Sequence, residues 1–301
     1  MNIVKVLLSM AVNHEWPLFQ MDVKNAFLHG DLEEEVYIKL PHRHPREGEL
    51  NKVCKLYKAI YGLKQSYRAW YSKLSSVLEV AWFKRSHADS SLFVCSGVLG
   101  KLVVLIYVDD LIIMGDNVNE INALKCSIHQ QISIKDLGVL KYFLSIEMAT
   151  SSRGLFLNQR KDVVDLLDEA HMLECKPAHN PLISKLQLDA KGEPISNHGV
   201  YQRMVGKLIY LTITRPDIAY SVSLVSQFMH SPTSVHWEIV KRILRYLKGS
   251  VGKDILMNKS GSNHIMAYTD ADWAGNALDR KSTTCFYTFV GGNLVTWKSK
   301  K

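Results

Sequence analysis

Two adjacent aspartates, Asp109 and Asp110, separate an apolar run of seven residues, 102–108, from one of four, 111–114. Neighbouring carboxylates repel each other, so a positive charge is expected close to them. Successive side chains of a strand point to opposite faces, and the two carboxylates can converge only if the chain turns beside them. The pattern therefore predicts a hairpin with the aspartates at its tip.

A third carboxylate, Asp22, follows another short apolar stretch and could lie on a strand beside that hairpin. Mg²⁺ prefers oxygen ligands and commonly combines one or two carboxylates with substrate phosphates. Three aspartates can hold two such ions roughly 3.5–4 Å apart, an arrangement suited to nucleotidyl transfer. An isolated Asp-Asp pair in a hairpin is nevertheless more typical of a solvated turn.

Several elements are predicted around these aspartates by hydrophobic periodicity and turn residues. The helical stretches are 3–12, 65–80, 122–132, 163–172, 201–209, one that begins after Pro216, and 235–248. The strands are 18–23, 91–94, 101–108, 142–148, 154–157, 266–269 and 285–290. Residues 174–199 lack periodicity and are predicted to form a linker near a domain boundary.

Composition favours an intracellular protein that contacts nucleic acid. The 301 residues carry a formal charge of +8, and residues 39–85 contain eleven Lys or Arg against three Glu, interleaved with seven aromatic residues. Such a segment suits a phosphate backbone with stacked bases, although a solvated basic surface is an equal alternative.

The longest apolar run is far shorter than a membrane span. Five cysteines without paired spacing favour free thiols, and we expect no secretion and no membrane partner.

An ordered set of motifs carries a family resemblance. The stretches are QMDVKNAFLHGDLEEEVYIKLP, KAIYGLKQSYRAWY, ADSSLF, YVDD, KDLGVLKYFLSIEM, YQRMVGKLIYLTITRPDIAYSVSLVSQFMHSP, HWEIVKRILRYLKG and YTDADWAG with RKSTT. In this order and spacing they resemble the reverse transcriptase region of copia-type LTR-retrotransposon Pol polyproteins, over essentially the whole chain. YVDD alone would be weakly specific.

The resemblance implies an α+β fold with the palm, fingers and thumb of a right-hand polymerase, followed by a helical connection and a truncated RNase H-like fragment. It implies domains at 1–150, the palm with partial fingers, at 151–255, the mostly helical thumb and connection, and at 262–301, the start of the RNase H-like domain. The implied partners are an RNA or DNA template with its primer and dNTPs, with other Pol regions supplied elsewhere. The implied cofactor is two Mg²⁺ ions, with Mn²⁺ as a substitute.

Site residues follow from matching positions in the family motifs. Asp22, Asp109 and Asp110 would be the catalytic, metal-binding carboxylates, and Val23 would add a backbone carbonyl. Phe27 would be the aromatic gate that excludes a ribose 2′-hydroxyl. The nucleotide and template pocket would contain Tyr61, Gly62 and Gln65. Lys135 could donate a proton to pyrophosphate or be an ordinary surface lysine.

The resemblance also suggests limits to activity. Asp270 takes the place of the first RNase H carboxylate, but the chain ends before the others would appear, so no RNase H activity is expected. The chain begins inside the family pattern, and Tyr67 and Cys285 replace the usual proline and glycine. We therefore expect a truncated RNA-directed DNA polymerase domain or, alternatively, an inactive retrotransposon remnant that at most binds nucleic acid.

Overall fold

A computed structural model describes residues 1–46, 52–97, 100–183, 192–253, 255–275 and 280–301. Its α-helices in chain order are α1 (Asn2–His14), α2 (Ser66–Val80), α3 (Val118–Gln131), α4 (Arg160–Glu169), α5 (His198–Leu211), α6 (Ala219–Ser226) and α7 (Ser234–Lys248). Its strands are β1 (Leu18–Val23), β2 (Asp31–Lys39), β3 (Val53–Lys58), β4 (Lys84–Arg85), β5 (Leu92–Gly97), β6 (Gly100–Tyr107), β7 (Asp110–Gly115), β8 (Ile134–Val139), β9 (Tyr142–Phe143), β10 (Ile146–Ser151), β11 (Gly154–Asn158), β12 (Ile255–Met257), β13 (Ile265–Ala271), β14 (Thr284–Val290) and β15 (Asn293–Lys300). Short 3₁₀ helices span Ala26–His29 and Pro216–Ile218. No helix among the described residues combines the length and the apolar character that crossing a membrane requires.

The chain forms two compact units, which we call the sheet unit, Trp16–Leu140, and the composite unit, Met1–Glu15 with Lys141–Lys301. Helix α1 belongs to the composite unit because it packs beside the C-terminal strands. Ser9 Oγ, for example, donates to the Val290 carbonyl at 2.7 Å. The domains predicted at 1–150, 151–255 and 262–301 stay predictions, and the compact units differ from them in where α1 lies.

The sheet unit is built on a six-stranded antiparallel sheet in the order β4-β5-β6-β7-β1-β8. Helices α2 and α3 pack on one face, where Trp70, Leu74 and Ile121 meet Val104 and Leu111 in one apolar core. The alternating apolar residues of β6 and β7 are buried by this packing, as expected for a central strand pair. A separate hairpin of β2 and β3 completes this unit.

The composite unit contains a helical core and two antiparallel sheets, ordered β12-β11-β10-β9 and β13-β14-β15. Helix α4 and helix α5 share that core, since Val163 and Leu166 pack with Tyr201 and Leu208. The prediction that residues 174–199 separate two domains is therefore wrong, because apolar side chains on both sides of the stretch are buried together. Residues 184–191 of that stretch lie outside the described residues.

The mixture of helices and antiparallel strands agrees with the predicted α+β class. Most predicted elements are confirmed to within a few residues, including the strand at Leu18–Val23. Hairpin β2-β3 and strands β4, β8, β12 and β15 were not predicted. Strand β2, for example, is exposed or only half-buried throughout, so it has no buried apolar face that its sequence could indicate.

Candidate active site

The hairpin predicted around the aspartate pair is confirmed. Strands β6 and β7 pair from Leu102 with Gly115 to Tyr107 with Asp110, which leaves Val108 and Asp109 as a two-residue loop. Asp109 lies in the loop and Asp110 is the first residue of β7. The turn at Val108 and Asp109 lets the carboxylates of Asp109 and Asp110 approach the same end of the sheet. In a straight strand the two side chains would point to opposite faces.

Asp22 is brought to the same end of the sheet, as predicted. Strand β1 pairs with β7 so that Asp22 is directly opposite Asp110. The Val23 backbone N–H donates to the Asp109 carbonyl oxygen at 2.8 Å, which joins the end of β1 to the loop. Residues from two distant parts of the chain therefore lie at one place.

The carboxyl of Asp110 is perturbed by its surroundings. Burial raises its pKa, a hydrogen bond from Gln20 opposes that effect, and the charges of Asp109 and Asp22 raise the pKa further, so that the net direction is upward. The Gln20 side-chain nitrogen donates to Asp110 Oδ1 at 2.9 Å. The carboxylates are therefore close enough to repel one another, which is the condition that a bound cation would relieve.

A metal site is not preformed. Among the residues that the structure describes, no group of three or more His, Cys, Asp and Glu side chains is arranged to hold a metal ion. The donor chemistry nevertheless fits Mg²⁺, because the carboxylates of Asp22, Asp109 and Asp110, at one end of the sheet, are hard oxygen ligands. The roles predicted for Asp22, Val23, Asp109 and Asp110 stay predictions.

Phe27 and Tyr61 form an aromatic pair close to these carboxylates. Their ring centroids are 4.4 Å apart at an interplanar angle of 62°. Burial, followed by the charges of Asp109 and Asp22, raises the pKa of the Tyr61 phenol, which places its ring within electrostatic reach of both carboxylates. The phenol side chain is nonetheless 60% exposed, so the pair borders an accessible surface.

Gly62 and Gln65 lie between that pair and helix α2. Gly62 has φ of +96°, a conformation that a residue with a Cβ rarely adopts. Gln65 precedes α2 and lines a cleft of about 460 Å³ whose walls also carry Arg68 and Lys73 from α2 and acidic residues from β2. Of the four predicted nucleotide-binding positions, Phe27 and Tyr61 are in contact, whereas Gln65 lines a cleft whose walls include none of the other three.

Two positions at the site were not assigned or were left open by sequence reasoning. Lys135 on β8 is directly opposite Asp22 and is exposed, and β1 lies between it and Asp110, so the positive charge expected beside Asp109 and Asp110 stays a prediction. Trp70 lies in the helix predicted over 65–80, and the structure shows that its Nε1 donates to the Val108 carbonyl at 2.7 Å. The one available signal was that a buried indole N–H needs an acceptor.

Asp270 lies in the other compact unit. It is an exposed residue of β13 opposite Cys285 on β14, and its Oδ1 accepts from the Ala271 N–H at 2.9 Å. Asp272 accepts from the backbone N–H of Thr283 at 2.9 Å. The RNase H-like assignment of this region stays a prediction.

Aromatic side chains of the basic segment are open to solvent. The exposed fractions are 74% for Tyr57, 49% for Tyr67 and 84% for Trp82. Trp70 of the same segment is instead fully buried. The segment therefore combines ordinary core residues with rings that remain available for stacking.

Sequence comparisons identify relatives over the whole chain. Residues 1–184 match the family described as reverse transcriptase (RNA-dependent DNA polymerase). The retrovirus-related Pol polyprotein from transposon RE1 of Arabidopsis thaliana is 40% identical over 299 residues, covering 99% of this chain and 20% of that protein. The corresponding polyprotein from transposon TNT 1-94 of Nicotiana tabacum is 38% identical over 313 residues, covering 100% and 23%. A putative transposon Ty5-1 protein of Saccharomyces cerevisiae is 32% identical over 285 residues, covering 93% and 92%. The chain thus spans about a fifth of the length of the two Pol polyproteins.

Proposed function

Because the chain belongs to the reverse transcriptase (RNA-dependent DNA polymerase) family, we propose that it acts as the RNA-directed DNA polymerase domain of a copia-type Pol polyprotein. The observation that carries this proposal is the pairing of Asp22 with Asp110 beside the loop that holds Asp109. Asp22 of β1, Asp110 of β7 and Asp109 of the loop lie at the same end of the sheet, near an aromatic pair. Template, primer and dNTPs would be its substrates.

In this proposal Asp22, Asp109 and Asp110 hold two Mg²⁺ ions, with the Val23 carbonyl as a further ligand. The bound ions would neutralise phosphate charge and lower the pKa of the primer hydroxyl. Two hydrogen bonds within the protein would hold these ligands in position. Gln20 fixes one oxygen of Asp110 by its hydrogen bond, and the Val23 N–H holds the Asp109 backbone.

The aromatic pair would discriminate between sugars. Phe27 is half-buried and its ring is supported by Tyr61, so it cannot retreat easily from a substrate above it. A ring held in this way would exclude a ribose 2′-hydroxyl by contact. Gly62 and Gln65 would border the paired nucleotide and its template base.

The sheet unit would be the palm, with β2 and β3 contributing to partial fingers, and the helices of the composite unit would form the thumb and connection. Strands β13, β14 and β15 would be an RNase H-like fragment. The support for this last proposal is that the three strands form one antiparallel sheet in chain order, β13-β14-β15.

Primer extension on an RNA template with Mg²⁺ tests the proposed activity. Asp109→Asn removes one charge from the loop and should abolish template-dependent synthesis. Asp168→Asn, in the exposed surface of α4, is the matched control and should extend like the wild type. Synthesis that survives Asp109→Asn would refute the assigned mechanism, and so would the same loss in both variants.

A second candidate is nucleic-acid binding without synthesis, which the exposed Tyr57, Tyr67 and Trp82 favour. Duplex and single-stranded oligonucleotides should then bind with an affinity that falls steeply as salt is raised. Binding without extension would support this candidate. Absence of binding at low salt would exclude it.

A further inference from the structure

The loop between β6 and β7 has an unfavourable backbone conformation. Val108 has φ of +55°, and Asp109 is not among the residues with positive φ. In a two-residue hairpin loop this is the pattern of a type II′ turn, which favours glycine at the first position. A β-branched residue is poorly suited to positive φ, so this loop needs contacts that hold it in place.

Two hydrogen bonds hold the loop. The Val23 N–H donates to the Asp109 carbonyl at 2.8 Å from the side of β1. The indole Nε1 of Trp70 donates to the Val108 carbonyl at 2.7 Å from the side of α2. These two acceptors are the carbonyls of the only two loop residues, so the bonds fix the orientation of both peptide groups.

Trp70 is well suited to act as a rigid support. Its side chain is 0% exposed and packs in the core that α2 and α3 share with the sheet. A buried indole has one donor and strongly prefers to keep its acceptor. The ring therefore cannot reorient without losing both packing and its hydrogen bond.

Gly30 allows α2 to come this close. A Cβ at Gly30 would lie 2.7 Å from the Trp70 backbone nitrogen and 2.8 Å from the Ala69 carbonyl carbon. Residues that follow Asp22 in the chain therefore determine the position of the helix that supports Asp109. Strand β1 and helix α2 therefore both contact the loop directly.

We propose that Trp70 is a positioning residue, whose indole N–H holds the Val108 peptide so that Asp109 faces Asp22 and Asp110. This inference rests on the proposed polymerase function for its catalytic consequence, but its structural part is independent of it. Without the indole donor, the Val108 peptide can rotate to relieve its positive φ. The Asp109 side chain then leaves the position from which it would bind Mg²⁺ together with the other carboxylates.

Trp70→Phe removes the donor and keeps an aromatic ring in the core. We expect the Val23 amide to exchange with solvent roughly tenfold faster, the factor that corresponds to losing one hydrogen bond worth about 1.4 kcal/mol. In primer extension, kcat should fall and the Mg²⁺ concentration for half-maximal rate should rise, each by roughly tenfold, while KM for template-primer should change less than about twofold. Leu74→Val, in the same core and helix, is the matched control for lost packing. Trp273→Phe controls for the chemical change at a tryptophan that is 97% exposed and lies in the composite unit.

Rescue by glycine separates positioning from general destabilisation. In Trp70→Phe/Val108→Gly the loop can adopt positive φ without strain, and Val23 exchange and the Mg²⁺ requirement should return toward the wild-type values. If Leu74→Val changes both quantities as much as Trp70→Phe does, or if glycine gives no recovery, the proposal is overturned. If the wild-type chain does not extend primers, amide exchange still decides the structural claim, because it needs neither substrate nor metal.

Discussion

Replacing Lys5 should stabilise the composite unit, because this lysine is buried with little compensation. Its side chain lies in α1, is 5% exposed, and places Nζ 3.5 Å from the centre of the Trp297 ring. Its ammonium group donates to the Ile213 carbonyl at 3.2 Å. Burial lowers the pKa of Lys5 from 10.5 to about 8.

The size of the effect follows from that change in pKa. Each pKa unit corresponds to about 1.4 kcal/mol, so a protonated Lys5 costs the folded state roughly 3 kcal/mol relative to the neutral amine. Below pH 8 both folded and unfolded chains hold the proton, and the full cost is present. Between pH 8 and 10.5 the folded chain releases the proton while the unfolded chain keeps it, so the contribution of Lys5 to stability rises with pH.

Lys5→Met keeps the length of the side chain and removes the charge. We expect it to be about 2 kcal/mol more stable than the wild type at pH 7, since losing the bond to Ile213 offsets about 1 kcal/mol of the gain. The advantage should shrink between pH 8 and 10.5. Urea unfolding, together with amide exchange of α1, measures the difference in stability at pH 7 and its change with pH. Lys161→Met, on the exposed surface of α4, is the control. A variant that is less stable at pH 7, or a difference that does not change with pH, would refute the reasoning.

Three further substitutions can be tested by urea unfolding. Asp110→Asn should stabilise the sheet unit at pH 7, because it removes a carboxylate whose pKa is raised by burial and by neighbouring charges, and the gain should vanish as the pH falls below 3.8. No gain at pH 7 would contradict this. Gly30→Ala should cost about 1–3 kcal/mol through overpacking against Trp70, and a neutral effect would show that α2 can shift freely. Burial alone would raise the pKa of Asp217, but hydrogen bonds from Arg215 and Tyr246 lower it, so Asp217→Asn should cost about 2 kcal/mol at pH 7. That cost should disappear as the pH falls through the lowered pKa of Asp217, and a difference that persists in acid would refute the assignment.

The aspartate hairpin could be predicted because its signals are local. Apolar runs on both sides of Asp109 and Asp110 define two strands, and a pair of charges between them requires a turn. Asp22 could be placed beside them because its short apolar stretch has strand periodicity. The register that puts Asp22 opposite Asp110 depends on long-range pairing, and only the structure supplies it.

Other features depend on contacts that no local pattern encodes. Trp70 lies in a helix that was predicted, but the acceptor of its indole N–H lies on a loop much later in the chain. Strand β8 has little apolar alternation because most of its residues are exposed at the edge of the sheet. Helix α1 was predicted, yet its packing beside the last strands requires the whole composite unit to be folded.

The central position of β1 has a consequence for how the protein is made. This strand is the first of the sheet unit to be synthesised, but it lies between β7 and β8, which are the last. The ribosome therefore releases β1 long before β7 or β8. The apolar residues of β1 stay unpaired until β7 is made, and that pairing closes a loop that contains most of the sheet unit. A nascent chain that ends before Ile134 lacks the strand that covers one edge of β1. We expect Asp22 to lie beside Asp110 only after β7 has emerged, and the second edge of β1 to be covered only after Val139 has emerged.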